Sequence, residues 1–271
     1  MGASGFLGSR LLRLGPKGIE LGGTGNKRPV RPGNWRELRL DVTSSSAVRS
    51  LIEKERPGAI FYVSYDRVDR AVTVDGARAA ARAASSIGAR FLYVSTDLVF
   101  DGRSGNYNET MSATPIMTYG RLKIEAESSV RDAAPGAVVL RPSLMVGESG
   151  IIMQPLFECG NLMRGQTTQL YSDEWRSPVH VDDVARAAWD LISGDASGRW
   201  HVGGPEKLSR LELGKLLCSM FRFDPKLIVE AKRPDDRPRD TSLDSRRLTE
   251  FLGWAPRRLS TLAKPAMAAS A

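Results

Sequence analysis

Gly2-Ala3-Ser4-Gly5-Phe6-Leu7-Gly8, running directly into Ser9-Arg10-Leu11-Leu12-Arg13-Leu14, decides the fold. Glycines three apart permit a tight turn and let backbone approach a pyrophosphate, whose charge the free N–H groups of a following helix can meet. Alone the loop is a weak sign, since glycine-rich turns are common. Its surroundings carry the rest. To about residue 142, short β-prone apolar runs alternate with longer helical patterns, the order of βαβ units in a parallel sheet. Strands are expected at Ile19 to Leu21, Glu37 to Leu40, Ala59 to Val63, Phe91 to Ser95 and Ala137 to Arg141. Helices are expected over 6–14, 45–55, 67–87 and 118–133, the third closed by Gly88.

Ahead of the loop stands one residue, Met1. Such a loop needs a preceding strand, which lies in the middle of a doubly wound sheet, so the first strand is expected to be missing and the chain to start late. Its absence would leave two neighbours with unpaired backbone groups, at about 1–3 kcal/mol for each that is buried. Beyond residue 142 the regularity weakens. Long connections are expected from Gly147 to Ser177, then a helix from Asp182 to about Ile192, a strand at Trp200 to Val202, and helices at Ser209 to Phe221 and Asp244 to Leu252. The fold class is therefore α/β: a Rossmann-type nucleotide-binding domain over 1–142, with residues 143–271 forming a small substrate-binding lobe interleaved with the sheet. The Ala-rich tail after Lys264 is expected to fray.

The 271 residues carry 39 Lys+Arg against 31 Asp+Glu, a formal charge of +8. No apolar run is long enough for a bilayer and no secretory signal opens the chain, so a cytoplasmic protein without membrane contact is expected. Cys159 and Cys218 read as small buried thiols, and neither they nor His180 and His201 have ligand-like spacing, so no metal site is expected. The basic residues lack the aromatic interleaving of a nucleic-acid surface, and phosphorylated small molecules fit them better. After the second strand, where an acid would hold the ribose hydroxyls of NAD, the chain has Gly25-Asn26-Lys27-Arg28. Two adjacent cations suit a 2′-phosphate, which favours NADP and leaves NAD as the alternative.

Tyr119 and Lys123 are four residues apart in an expected helix and so share a face. An ammonium there can lower the phenol from its usual pKa of about 10 and let it trade a proton with a carbonyl. Ser95-Thr96, at the C-terminal end of a strand, adds a hydroxyl where open α/β sheets bind ligands. A lone Y-x-x-x-K most often means an exposed pair; joined to the glycine loop and the Ser-Thr strand end, in this order, it becomes specific.

With GASGFLG (2–8), YVSTDLVFDG (93–102), YGRLKIEAE (119–127), LRPSLMVG (140–147), SPVHVDDVARA (177–187), WHVGG (200–204) and RPRDTSLDSRRL (237–248), nearly the whole chain resembles the extended short-chain dehydrogenase/reductases. Within them it is most similar to the dTDP-4-dehydrorhamnose reductase group, which also contains the regulatory β subunit of methionine adenosyltransferase. The resemblance implies reduction of a nucleotide-linked 4-keto sugar, with Tyr119 as proton donor, Lys123 binding the nicotinamide ribose, and Thr96 holding the substrate oxygen. It implies that Gly2, Gly5, Phe6, Leu7 and Gly8 meet the pyrophosphate, that Asp41 and Val42 contact adenine, and that Arg237 meets the substrate's diphosphate. Asp182 and Asp183, with His180, are expected to join the lobe to the sheet.

Three departures from the family pattern stand out: the absent first strand, a shortened stretch in which Val63-Ser64-Tyr65-Asp66 runs at once into the next helix, and Thr73 where the family usually has Asn. Bulky Tyr65 is expected to crowd the nicotinamide pocket. These features keep two further readings in view: a non-catalytic NADP-binding regulatory subunit that works with a partner enzyme, and a sugar-nucleotide epimerase or dehydratase. A homodimer is the other assembly considered.

Overall fold

The computed structural model describes residues 1–147, 161–162 and 164–262. Cys159, the connection over 148–160 and the tail after Lys264 lie outside the described residues.

A parallel four-stranded sheet forms the centre, in the order β10 (Gly198–Val202), β5 (Val138–Pro142), β4 (Arg90–Val94), β3 (Ala59–Tyr62). Alternation along β4 explains the two layers that cover it. Leu92 and Val94 pack with Phe6, Leu7 and Leu11 of α1 (Phe6–Arg13) and with Val184, Ala188 and Leu191 of α5 (Val181–Ser193). Phe91 and Tyr93 face the opposite way, onto the layer that includes Val48 and Ile52 of α2 (Ser45–Glu55), Ala77, Ala80 and Ala84 of α3 (Gly76–Ser86), and Ala126 and Val130 of α4 (Thr118–Ala133). Because β10 pairs with β5, the second half of the chain completes this sheet. Its own small core sets Leu213 and Leu217 of α6 (Arg210–Phe221) against Val146 and Leu259, with Cys218 buried and unbridged in the same helix.

A separate parallel pair, β1 (Gly22–Gly25) with β2 (Arg36–Arg39), continues the layer beyond β3. The strand expected at Ile19 to Leu21 is thus corrected to Gly22–Gly25. Ile19 is 48% exposed, while a Cβ at Gly23 would stand 2.7 Å from the Leu12 side chain and 3.0 Å from that of Ala3. Space under α1 selects glycine there, against β propensity. The helix expected over 67–87 also divides, into a π-helical turn at Ala71–Asp75 and α3. The Tyr62 hydroxyl donates to the Val72 carbonyl at 2.6 Å, and a Cβ on Gly76 would come within 2.5 Å of the same oxygen. An inserted side chain of this kind widens a helical turn.

Between β1 and β3, Met1 spans the gap. The Ala3 amide donates to Thr24 O (2.9 Å), the Val63 amide to Met1 O (3.0 Å), and the Met1 amino group to Phe61 O. Burial lowers the pKa of that amine to about 5. Among the described residues no strand lies between β1 and β3, and a cavity of about 590 Å³ opens there, lined by Leu12, Leu21, Leu38, Ile60, Phe61 and Trp189. Strand alternation turns the Gly22 and Ala59 backbone groups toward it.

Candidate active site

The glycine loop closes on itself before α1. Gly2 has φ +86°, a conformation that favours glycine, and a Cβ there would also press on Ser64. The Gly5 amide donates to Gly2 O at 3.1 Å, and Gly5 then caps α1 without any side-chain bond to the helix amides. A Cβ on Gly8 would fall 2.2 Å from Gly2 O, so this residue fixes how closely loop and helix approach. Phe6 and Leu7 point into the core, leaving their backbone, not their side chains, to face a ligand.

Lys27 and Arg28 follow β1 directly and are exposed, and the acidic residue at the neighbouring strand end is Asp41. Asp41 accepts from the Thr43 amide (3.0 Å) and hydroxyl (2.8 Å), bonds that hold it below the usual carboxylate range, with Asn26 and Lys27 adding to the effect. Val42 places its carbonyl against α3, where a Cβ on Gly76 would stand 2.6 Å away. Thr73, buried, accepts from the Asp66 amide at 2.8 Å and donates to the Asp66 carbonyl at 2.7 Å, fixing the start of the segment that carries Tyr65.

Thr96 ends the run that leaves β4, and its hydroxyl accepts from the Leu98 amide at 3.3 Å. The turn at 97–99 meets the first turn of α4 closely, because a Cβ on Gly120 would fall 2.1 Å from Leu98 O. Gly120 therefore lets the turn that follows Thr96 approach the start of α4. On α4, Tyr119, Lys123 and Glu127 recur every four residues on one face. Lys123 is 1% exposed and donates to Val94 O at 2.8 Å. Burial lowers its pKa to about 7, against the opposing pull of Glu127. Burial likewise pushes the Tyr119 phenol well up, helped by Tyr65 and opposed by Arg67. The Tyr65 ring lies 5.6 Å from that of Tyr119 and 5.4 Å from the Lys123 ammonium, which places this bulky residue over the pair.

Two buried networks that the sequence reading did not single out support these groups. Glu127 takes a two-pronged bond from Arg141 (2.8 and 2.6 Å) and one from the Ser95 hydroxyl. Asp97 accepts from Arg176 Nη1 at 2.7 Å and from the Ser143 hydroxyl at 2.9 Å. Arg176 also donates to Glu174, which is fully buried and bound by Arg237 at 2.7 and 3.0 Å. Burial raises the Glu174 carboxyl, but the Arg237 bonds and the nearby guanidinium charges outweigh it and hold the pKa at about 2. Arg237 is thus joined to the Thr96 turn through Glu174, Arg176 and Asp97. On the far side of the sheet Arg10 pairs with Asp182, and Arg257 reaches Asp183 at 2.9 Å and His180 at 2.9 Å, linking α1 and the last residues to α5.

No group of His, Cys, Asp and Glu among the described residues is arranged to hold a metal ion, and no described helix is long and apolar enough to cross a membrane.

A doubly layered parallel sheet, a glycine loop entering α1, and Tyr119 and Lys123 beside a Ser-Thr strand end define an extended short-chain dehydrogenase/reductase. A family model described as the RmlD substrate binding domain matches residues 1–269, and the chain belongs to that family. It is 32% identical over 173 residues to a Haloferax volcanii protein described as "probable low-salt glycan biosynthesis reductase Agl14", covering 60% of this chain and 58% of that one. It is 28% identical over 245 residues to methionine adenosyltransferase 2 subunit beta of Bos taurus, covering 81% and 72%. A solved structure from Sulfolobus tokodaii, described as a hypothetical dTDP-4-dehydrorhamnose reductase, superposes with TM-score 0.81 at 28% identity over 96% of both chains. A dTDP-4-dehydrorhamnose reductase of Bacillus anthracis in complex with NADP (TM-score 0.78, 22% identity, 97% and 95% covered) shares the fold.

Proposed function

We propose that the chain is an NADP-dependent reductase of a nucleotide-linked 4-keto sugar, with NAD as the second choice of cofactor and Tyr119 as proton donor. The observation that carries this reading is the shared face of Tyr119 and Lys123 on α4, set by Gly120 against the Thr96 turn. The names of its relatives, a glycan biosynthesis reductase and dTDP-4-dehydrorhamnose reductases, support it.

The residues present fit a dinucleotide at its phosphate end. The α1 amides are uncapped by any side chain, Gly8 allows close approach, and Lys27 and Arg28 are exposed just after β1. The bound cofactor supplies a hydride. The protein's part is the proton: burial keeps the Tyr119 phenol protonated, the state a donor needs, while Lys123 lies close enough to steady the phenolate left behind. Thr96 offers a hydroxyl for the substrate oxygen, and Arg237, oriented by Glu174, offers its remaining donors to a diphosphate.

NADPH oxidation with a dTDP-4-dehydro-6-deoxysugar tests the reading. Tyr119→Phe is expected to lose roughly 10²–10⁴-fold in rate; equal rates in the two proteins overturn the assignment. The regulatory reading draws on one observation, the Tyr65 ring lying against both Tyr119 and Lys123. Co-purification with a partner enzyme, without turnover of any sugar nucleotide, would favour it.

A further inference from the structure

Lys123 is enclosed in an unusual way for a buried ammonium. It donates to the Val94 carbonyl at 2.8 Å, and three aromatic rings surround its Nζ: Tyr93 at 4.8 Å, Tyr65 at 5.4 Å and Tyr119 at 5.8 Å. Ring faces attract a cation, which offsets part of what an ammonium loses when water is excluded. The three walls differ in kind. Tyr93 is fully buried on β4, and Tyr119 belongs to the same helix as Lys123. Tyr65 stands on the segment after β3 and is 39% exposed, so it is the wall between Lys123 and solvent.

We propose that Tyr65 is a positioning residue that acts through Lys123, closing an aromatic cage that keeps the ammonium dry and aimed along α4 at Tyr119. The segment carrying it is built to hold that position. Asp66, next in sequence, receives the amides of Val68 and Asp69 (2.9 Å each) and is tied to buried Thr73 through its own backbone, so Tyr65 projects from an anchored turn. Ser64, on its other side, packs where a Cβ on Gly2 would stand, which couples the cage to the glycine loop. The groups that face Lys123 are Tyr65 from this segment, Tyr93 from β4, and Tyr119 and Glu127 from α4, with Arg141 of β5 neutralising Glu127 from behind. Of the three walls Tyr65 is the most exposed, and Tyr93 lies in the core.

The cage rests on reading Lys123 as part of the site, but its test needs no turnover. The Cε resonance of Lys123 is followed against pH in protein labelled with ¹³C-lysine, assigned by its loss in Lys123→Arg. Desolvation is the largest influence on this amine, so admitting water raises its titration midpoint even as one ring contact is lost. The wild type is expected to titrate near 7, Tyr65→Phe to match it, and Tyr65→Ala to move upward by one pH unit or more. Tyr65→Leu, which keeps apolar bulk without a ring, serves if the alanine variant does not fold, and is expected to fall between the two. A folded Tyr65→Ala or Tyr65→Leu protein with the wild-type midpoint overturns the cage. The pH profile of kcat/KM, measured alongside, separates the two assignments. A moved resonance without any reductase activity sinks the reductase reading alone, and Tyr119-dependent turnover with an unmoved resonance sinks the cage alone.

Discussion

Asp97 and Arg176, 79 residues apart in sequence, form an ion pair of 2.7 Å with both side chains almost wholly buried. The pair joins the turn that carries Thr96 to β8 (Trp175–Arg176) of the second half, and Arg176 simultaneously holds Glu174. Removing one member of such a pair strands the other charge away from water. Arg176→Met is expected to cost about 3–5 kcal/mol, a Tm fall of roughly 10 °C for a chain of this size. The exposed pair of Arg246 with Asp244 is the control, since Arg246→Ala is expected to change stability by less than about 1 kcal/mol. Thermal melts of both variants check this, and comparable losses would refute it.

Stability is expected to fall on acidification, and the sign follows from the shifted groups. Burial, with Arg141 nearby, lowers His201 from its usual 6.5 to about 3, so the unfolded chain binds a proton across that window that the folded chain refuses. Lys123 has the same sense between 10.5 and about 7. Each therefore favours the folded state more as pH rises through its window. Denaturant midpoints should climb from pH 5 to pH 8, and Lys123→Met should flatten the part above pH 7. A midpoint that declines over this range contradicts the assignment.

Two glycines of one loop should respond differently to alanine. At Gly8 the new Cβ would sit 2.2 Å from Gly2 O, against 3.3 Å for the same oxygen at Gly5. Gly8→Ala must push the loop off α1, at about 1–3 kcal/mol, with loss of dinucleotide affinity. Gly5→Ala, with φ −82°, needs a shift of only tenths of an ångström. Melting and NADPH titration of the two proteins decide it, and equal effects would remove the close-approach argument.

Lys27 and Arg28 should discriminate between the cofactors. Replacing both with alanine is expected to weaken NADPH by about 10-fold or more, one charge-assisted contact being worth about 1.5–3 kcal/mol, while NADH changes little. Fluorescence titration with each cofactor gives the answer. A parallel loss for both would assign these side chains to something other than the 2′-phosphate.

How much of this was legible in the chain depends on the distance over which each residue is determined. Tyr119 and Lys123 could be read because helical spacing puts them on one face, and continuing that spacing to Glu127 would have found the support behind Lys123. Arg176 gave no local signal, since its partner Asp97 meets it only through the tertiary fold. β1 was misplaced toward apolar Ile19 because its glycines are chosen by the room under Leu12 and Ala3, a quantity no propensity contains. The division of the 67–87 helix depends on the Tyr62 hydroxyl reaching Val72, and that too is a packing event.

The gap between β1 and β3 gives the molecule a seam. Across it the backbone is stitched by Met1 and Ala3, whereas β4 pairs with β3 on one side and with β5 on the other. Amide protons of β1 and β2 should therefore exchange with solvent earlier than those of β4 and β5, as a unit that opens without unfolding the rest. The glycine loop sits across that seam, bonded to Thr24 of β1 and packed against Ser64 beyond β3, and Lys27 and Arg28 follow β1. A ligand that grips the loop together with these cations has to hold β1 in place, so its affinity and the slowing of exchange in β1 become two measures of one closing free energy.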